Sequence, residues 1–200
     1  TEYAATRDIN ERFLLATPQR LMASSIAAAV GHWLSQSTVD TQEMMYEPAD
    51  EPDLDQIDDK PLVRMLAAKC RELANVHELE RTDTKFEELH AFLTEFHIMH
   101  SNEKLIIFSS FKSTLNYLHR RLAERDIQTE LLHGSITERK QVVIDRFQGS
   151  RDALILLSSE VGSEGVDIQF CSLLVNYDLP WNPMRVEQRI GRIDRLGQSA

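Results

Sequence analysis

The second half of the sequence alternates short strand-like runs with segments of helical spacing, and this alternation constrains the fold more than any other feature. The runs read LIIF, TELL, ALILL and SLLV, and KSTLNYLHRRLAERD and TERKQVVIDRFQ are two of the helical segments. Strands that are apolar at nearly every position are buried on both faces, and strands joined through helices run parallel. The alternation therefore predicts an α/β fold, a doubly wound parallel sheet with helices on both faces.

Small, polar and turn residues follow each strand-like run. They form the segments SSF at 109–111, HGS at 133–135, SSEVGSEGVD at 158–167 and YDLPWNP at 177–183. The carboxyl ends of parallel strands share one edge of the sheet, and ligands of doubly wound folds bind there. This edge is where we expect the functional site.

The first half of the sequence has helical patterns and an acidic segment. Helices are predicted from Asn10 to about Ser35, from Pro61 through LVRMLAAKCRELANV, and over KFEELHAFLTEFHIMH, which Asp83 or Thr84 caps. Residues 47–59 contain seven carboxylates and two prolines, which is typical of a solvated loop. We expect residues 1–100 to form a helical region, a lobe-specific insertion or linker, and residues 101–200 to form the sheet domain.

Charge is divided unevenly between the two halves. The net charge is −10, with nine Lys and Arg against twenty Asp and Glu in residues 1–103, and thirteen against twelve in residues 104–200. A net-acidic protein is not drawn to nucleic acid by its overall field, so phosphate binding would need a local patch or oriented backbone amides. The second half is where such a patch is predicted.

Several classes of protein find no support in the sequence. No apolar run approaches the roughly 18 to 20 residues of a membrane span, and nothing at Thr1 reads as a secretion signal, so a cytoplasmic location is expected. Cys70 and Cys171 are far apart and are interpreted as buried thiols. His97 and His100, with His90 nearby, lack further ligands at metal spacing, and no metal site is predicted.

The last helical segment, VEQRIGRIDR, has a predicted buried face and a predicted polar face. The apolar residues at helical spacing are Val186, Ile190 and Ile193. The polar residues two positions further along, about 200° around the axis, are Gln188, Arg192 and Arg195. Gly191 costs about 1 kcal/mol in a helix relative to Ala, which indicates that another group approaches closely there.

Four motifs in this order resemble the second RecA-like lobe of superfamily-two helicases and translocases. KLIIFSSF is similar to motif IV, LLHGSITERKQVVIDRF to the segment after it, LLSSEVGSEGVDIQ to motif V and QRIGRIDR to motif VI. The similarity is greatest to Swi/Snf-type ATPases, in which an element like LPWNP precedes motif VI, and it extends over residues 84–200. Ser163 and Asp167 stand where those ATPases commonly have Gly and Asn, which indicates a divergent branch that we expect to be bacterial.

The resemblance implies a role for each matching residue. The arginine fingers that reach a triphosphate on a partner lobe would be Arg192 and Arg195. The nucleotide would also be contacted by Gln188, Gly165 and Asp167. Nucleic acid would be bound by Ser109, Ser110, His133, Gly134, Arg139, Ser158 and Ser159. An ordinary structural role, such as capping a strand end or a helix, remains the open alternative for Ser110, His133, Arg139, Ser159 and Asp167.

The resemblance also implies what has to come from elsewhere. None of the seven glycines precedes a Lys, so the sequence has no phosphate-binding GxxxxGK loop. ATP and Mg²⁺ would be bound mainly by an N-terminal RecA-like lobe of the same protein, and this chain alone is expected to hydrolyse ATP negligibly. The implied partners are that lobe, double-stranded DNA and a protein that contacts the N-terminal helices. The alternatives are the lobe of an RNA helicase or restriction-type translocase, and a non-catalytic RecA-like binding module.

Overall fold

The structure is a computed structural model that describes residues 11–36, 60–180 and 182–193. The predicted acidic loop at 47–59 and Arg195 lie outside these ranges. The chain divides into two compact units between Lys85 and Phe86. The sequence predicted a boundary near residue 100. In the structure the helix before the first strand, which that prediction assigned to the N-terminal region, belongs mainly to the second unit.

The described residues of the first unit, 11–36 and 60–85, are mainly helical, as the sequence predicts. Its helices are α1 (Glu11–Ser24), α2 (Ile26–Gln36), α3 (Lys60–Leu73) and α4 (Val76–Arg81). The stretch predicted as helical up to Ser35 forms two helices, and the Oγ of Ser25 accepts a hydrogen bond from the Ala28 N–H at the start of the second. The helix predicted to run through Val76 ends at Leu73, because the Asn75 Oδ1 accepts from the N–H groups of His77 and Glu78 and begins α4.

The second unit contains one four-stranded parallel sheet. In chain order its elements are α5 (Thr84–Met99), β1 (Lys104–Phe108), α6 (Lys112–Ala123), β2 (Thr129–Leu132), α7 (Lys140–Gly149), β3 (Ile155–Ser158), α8 (Glu160–Ser163), β4 (Cys171–Asn176) and α9 (Pro183–Ile193). The strand order is β2-β3-β1-β4, and every neighbouring pair is parallel. The predicted doubly wound α/β fold is confirmed. The sequence did not predict the short helix α8.

Alternate residues of each strand point to opposite faces of the sheet, and both faces of the central strands β1 and β3 are buried. On one face Ile106, Phe108, Leu132 and Leu156 pack with Val143, Ile144 and Phe147 of α7. Residues of α6, among them Leu115, Leu118 and Leu122, are fully buried as well. The central strands are therefore rigid supports for the loops at their ends.

The described residues were expected to contain neither a membrane-spanning helix nor a metal site. None of the helices in the described ranges is long and apolar enough to cross a membrane. Within the same ranges no group of three His, Cys, Asp or Glu side chains converges on a common point. The ring of His100 stacks on Phe96, and its Nδ1 lies 2.9 Å from the Glu103 Oε1, so this histidine has a local partner.

Candidate functional site

The candidate site lies at the carboxyl edge of the sheet, where α9 packs beside β4. The segments that follow the four strands meet here because all the strands run in the same direction. A network of charged and polar side chains connects three of these strand ends with α9. We call it the Arg189 network, and its members are Ser109, Ser110, Glu160, Asn176, Asp178, Arg185 and Arg189.

Arg189 is the centre of this network and is only 1% exposed. Its Nε and Nη2 lie 3.0 and 2.7 Å from the Glu160 Oε1. Its Nη1 donates to the Asn176 Oδ1 at 2.6 Å and to the backbone oxygen of Asp178 at 3.2 Å. The planar guanidinium has five N–H donors, so one side chain can connect groups that lie in several directions.

Two carboxylates balance two guanidinium groups in the network. Glu160 accepts from Arg189 and also from the Arg185 Nη1, at 2.7 Å. The Asp178 carboxylate accepts from the Ser109 hydroxyl at 2.5 Å and from the Ser110 N–H at 2.8 Å. The network is therefore neutral as a whole, which is the usual condition for burying charges away from water.

The buried face of α9 differs from the predicted one. Ile190, predicted to face the core, is 40% exposed, whereas Arg189 is buried. Ile193 packs against the core as predicted. The helix is rotated because the guanidinium of Arg189 gains the Glu160, Asn176 and Asp178 partners at the strand ends, and these hold it inside more firmly than burial of one isoleucine would.

Of the three residues predicted on the polar face of α9, one is exposed, one is half-buried and one lies outside the described residues. Gln188 and Gly191 are exposed, and a Cβ placed on Gly191 would have no atom within 4 Å. Arg192 is half-buried, and its Nη1 donates to the backbone oxygen of Ser163 at 2.8 Å. This bond places the Arg192 guanidinium beside the loop that the sequence assigned to motif V. Arg195 lies outside the described residues.

The motif V loop is shaped by two glycines with different constraints. A Cβ on Gly162 would lie 2.7 Å from the Leu132 carbonyl carbon and 2.9 Å from the His133 Cα, so only glycine fits there. Gly165 has a φ of +77°, a conformation that favours glycine. Asp167 is exposed, and its Oδ1 accepts from the Gln169 N–H at 3.1 Å. Gly165 and Asp167 thus have local backbone roles, and their predicted nucleotide contacts stay predictions.

The residues predicted to bind nucleic acid fall into a buried and an exposed set. Ser109, Ser158 and Ser159 are buried: the Ser109 hydroxyl bonds Asp178, the Ser158 hydroxyl donates to the Ser159 carbonyl, and the Ser159 Oγ caps α8 by accepting from Gly162. His133 is also buried, and Ser110 is half-buried. Gly134 and Arg139 are exposed. Direct contacts with a ligand are thus geometrically simplest for Gly134 and Arg139, and the buried hydroxyls hold the protein's own backbone.

Sequence reasoning missed Glu160, Asn176, Asp178, Arg185 and Arg189 as members of the site. A signal was available, because Arg185 and Arg189 are four residues apart on the predicted helix and each strand end carries a polar or acidic residue. What the spacing could not show is that both arginines face the same carboxylate.

Residues 84–197 match the family model of the helicase conserved C-terminal domain. The uncharacterized ATP-dependent helicase YqhH of Bacillus subtilis is 44% identical over 98 residues, which are 48% of this chain and 17% of YqhH. The RNA polymerase-associated protein RapA of Cronobacter sakazakii is 39% identical over 120 residues, which are 58% of this chain and 12% of RapA. The chain thus spans less than a fifth of the length of either relative.

One solved structure supports the fold. The C-terminal part of the Fun30 ATPase domain has a TM-score of 0.51 at 21% identity, over 85% of this chain and 58% of that one. At this identity the likeness concerns the fold alone. It confirms the RecA-like arrangement that the motifs predicted.

Proposed function

Because the chain belongs to the family of helicase conserved C-terminal domains, we propose that it is the C-terminal lobe of an ATP-dependent translocase that moves on double-stranded DNA. ATP would lie between this lobe and an N-terminal RecA-like lobe of the same protein. The N-terminal helices would contact a further protein. The name of RapA, an RNA polymerase-associated protein, supports a transcription complex as the setting, and the proposal would place the protein in the cytoplasm, on the nucleoid of a bacterium.

The observation that carries the proposal is the geometry of α9. Gln188 and Gly191 form an open, exposed surface, and the Arg192 guanidinium lies at its border beside the motif V loop. The bond to Ser163 uses one of five N–H donors, so the side chain retains the capacity to bridge two phosphate oxygens. Arg192 and Arg195 are proposed to stabilise the charge that develops on the γ-phosphate, and Gln188, Gly165 and Asp167 to contact the nucleotide.

The chemistry of this edge suits a triphosphate better than a metal ion. Guanidinium groups and an exposed carboxamide bind phosphate oxygens, whereas Mg²⁺ prefers several carboxylate or carbonyl oxygens. No set of three potential metal ligands is found among the described residues. We assign Mg²⁺ to the N-terminal lobe, where it would neutralise the phosphates, and phosphate contacts to this lobe. The chain alone should accordingly turn over ATP negligibly.

Arginine substitution in the complete protein tests the proposal. We expect Arg192→Ala to lower ATP turnover about 10³- to 10⁵-fold, the usual contribution of an arginine finger, while DNA binding is retained. Arg192→Lys should remain strongly impaired, because a point charge does not reproduce the planar fork. Arg151→Ala is the matched control, since Arg151 is exposed on the loop before β3, at the opposite edge of the sheet. Unchanged turnover of Arg192→Ala would remove this residue from the mechanism.

The nucleic acid is tested by salt-dependent binding of the complete protein. Arg139 is exposed at the start of α7 and is the basic residue proposed to contact a phosphate. Arg139→Ala should reduce the slope of log affinity against log salt by about 1 on duplex DNA, and Arg151→Ala should leave it unchanged. Tighter binding to RNA would favour the lobe of an RNA helicase. ATP turnover that is absent even in the complete protein would favour a non-catalytic binding module.

A further inference from the structure

The Arg189 network connects the helix that carries Arg192 with the loop that follows β1. Glu160 begins α8 after β3, Asp178 follows β4, and Ser110 follows β1. Arg189 contacts all three segments, with its Nη2 3.5 Å from the Ser110 Oγ, the longest of its contacts. One buried side chain of α9 is therefore in contact with the segments that follow three strands.

Asp178 is a second link between α9 and the β1 loop, in addition to the long contact between Arg189 and the Ser110 Oγ. Its backbone oxygen accepts from Arg189, and its carboxylate holds the Ser109 hydroxyl and the Ser110 N–H. A shift of α9 that moves Arg189 also moves the backbone of Asp178. The hydrogen bonds that the Asp178 carboxylate forms with the β1 loop then change as well. No residue of α9 bonds the Ser110 N–H directly among the contacts of the Arg189 network.

Glu160 holds the helix in this position from the other side. It is the carboxylate partner of both Arg185 and Arg189, which are one helical turn apart on α9. Two attachment points one turn apart lie on the same face of the helix, so together they hold that face toward Glu160 and oppose both rotation and tilt of the helix. The rotation of α9 in turn sets the direction of Arg192.

We propose that Glu160 is a positioning residue: through Arg189 and Asp178 it fixes both the rotation of α9 and the hydrogen bonds of the β1 loop, and so couples nucleic-acid binding to ATP turnover. The coupling rests on the proposed function, whereas the physical connection between Glu160 and the β1 loop does not. The two parts have separate readouts.

The physical connection is tested by amide hydrogen exchange in the complete protein without ATP or nucleic acid. Glu160→Gln keeps the size of the side chain but removes the negative charge that pairs with the guanidinium groups of Arg185 and Arg189. We expect amides 109–111 to exchange at least about tenfold faster, although Glu160 forms no bond to them among the contacts described above. Glu164→Gln is the matched control, because Glu164 is exposed four residues later and should leave these amides unchanged.

A second variant guards against general unfolding. Arg185→Gln removes one attachment point of α9 and keeps the Glu160–Arg189 pair, so a smaller increase at the same amides is expected. Amides of α6 outside the loop should stay protected in both variants. Equal exchange in Glu160→Gln and the wild type, or faster exchange everywhere in the second unit in both variants, would overturn the inference.

The coupling is tested by measuring ATP turnover of the same proteins with and without duplex DNA. Glu160→Gln should lower the stimulation by DNA at least about fivefold, while its KM for ATP changes less than twofold. A wild type without any ATP turnover would refute the proposed function and leave the exchange result to decide the physical connection. Normal stimulation in Glu160→Gln, with faster exchange at 109–111, would refute the coupling alone.

Discussion

Two cations lie against the same sheet, one at each edge, and they are held in different ways: Lys104 is half-buried and Arg189 is buried. At the amino edge, the Lys104 Nζ donates to the carbonyl oxygens of Phe147, Ser150 and Ala153 at 2.6, 2.8 and 3.1 Å. At the carboxyl edge, Arg189 is held mainly by side chains, including the carboxylate of Glu160. Lys104 therefore caps the end of α7, whereas Arg189 connects segments that carry the candidate site.

The partners decide what each cation can do. The carbonyl groups around Lys104 carry no net charge, and burial lowers the pKa of its ammonium, with Cys171 acting in the opposite direction. Backbone groups in a packed helix end have one arrangement. Side-chain carboxylates and hydroxyls have several arrangements of similar energy, so a network built from them can respond to a ligand. The carboxyl edge, where side chains hold the cation, is therefore better suited to respond to a ligand than the amino edge, where backbone carbonyl groups hold it.

The largest expected effect is on the carboxyl edge. Arg189→Leu leaves the half-buried carboxylate of Glu160 with a single partner and the Asn176 oxygen without its donor, so we expect the free energy of unfolding to fall by about 3 to 5 kcal/mol. Lys104→Met at the amino edge should cost less, about 1 to 2 kcal/mol, because only neutral carbonyl groups lose their donor. Urea denaturation followed by circular dichroism measures both. A larger loss for Lys104→Met would reverse the comparison.

A second effect belongs to the amino edge and appears only at alkaline pH. Burial raises the pKa of the Cys171 thiol to about 12 from 9.0 in the unfolded chain. The folded state binds this proton more tightly than the unfolded state does. The resulting contribution to the free energy of unfolding is therefore complete below pH 9 and is lost as the pH rises toward 12. The complete contribution is roughly 4 kcal/mol.

Cys171→Ala should remove this pH dependence. The unfolding free energy of the wild type should fall relative to that of Cys171→Ala as the pH rises from about 9 to about 11, as urea unfolding at several pH values would measure. Cys70→Ala is the control, because the Cys70 thiol is only half-buried, although burial raises its pKa as well. Parallel curves for wild type and Cys171→Ala would show that the thiol ionises as freely in the folded state as in the unfolded one.

The smallest effects distinguish two glycines of the second unit. Gly162→Ala should cost about 1 to 3 kcal/mol, because its Cβ would overlap the backbone of Leu132 and His133. Gly149→Ala, at the end of α7 with no atom within 4 Å of the added Cβ, should be neutral or stabilise by up to about 1 kcal/mol. Thermal unfolding of the two variants should therefore shift in opposite directions. A stable Gly162→Ala would mean that the contact between α8 and the end of β2 can open.

The sequence alone was sufficient to predict the family and the order of the motifs along the chain. The four strands, the helices between them and the helicase C-terminal domain follow from the alternation of apolar runs and from motifs in a fixed order. The relationship to Swi/Snf-type ATPases is confirmed, and the curated relatives named above are bacterial, as the departures at Ser163 and Asp167 indicated. The roles of Arg192, Gln188 and the predicted nucleic-acid contacts stay predictions.

The sequence by itself determined the fold class, because apolar periodicity and turn residues act over short distances along the chain. It also determined which edge of the sheet carries the candidate site. Only the tertiary structure decided that Arg189 turns inward while Ile190 turns to solvent, since that choice depends on Glu160 after β3 and on Asn176 and Asp178 at the end of β4. The energy of a buried guanidinium is set by partners distant in sequence, and no local pattern contains them.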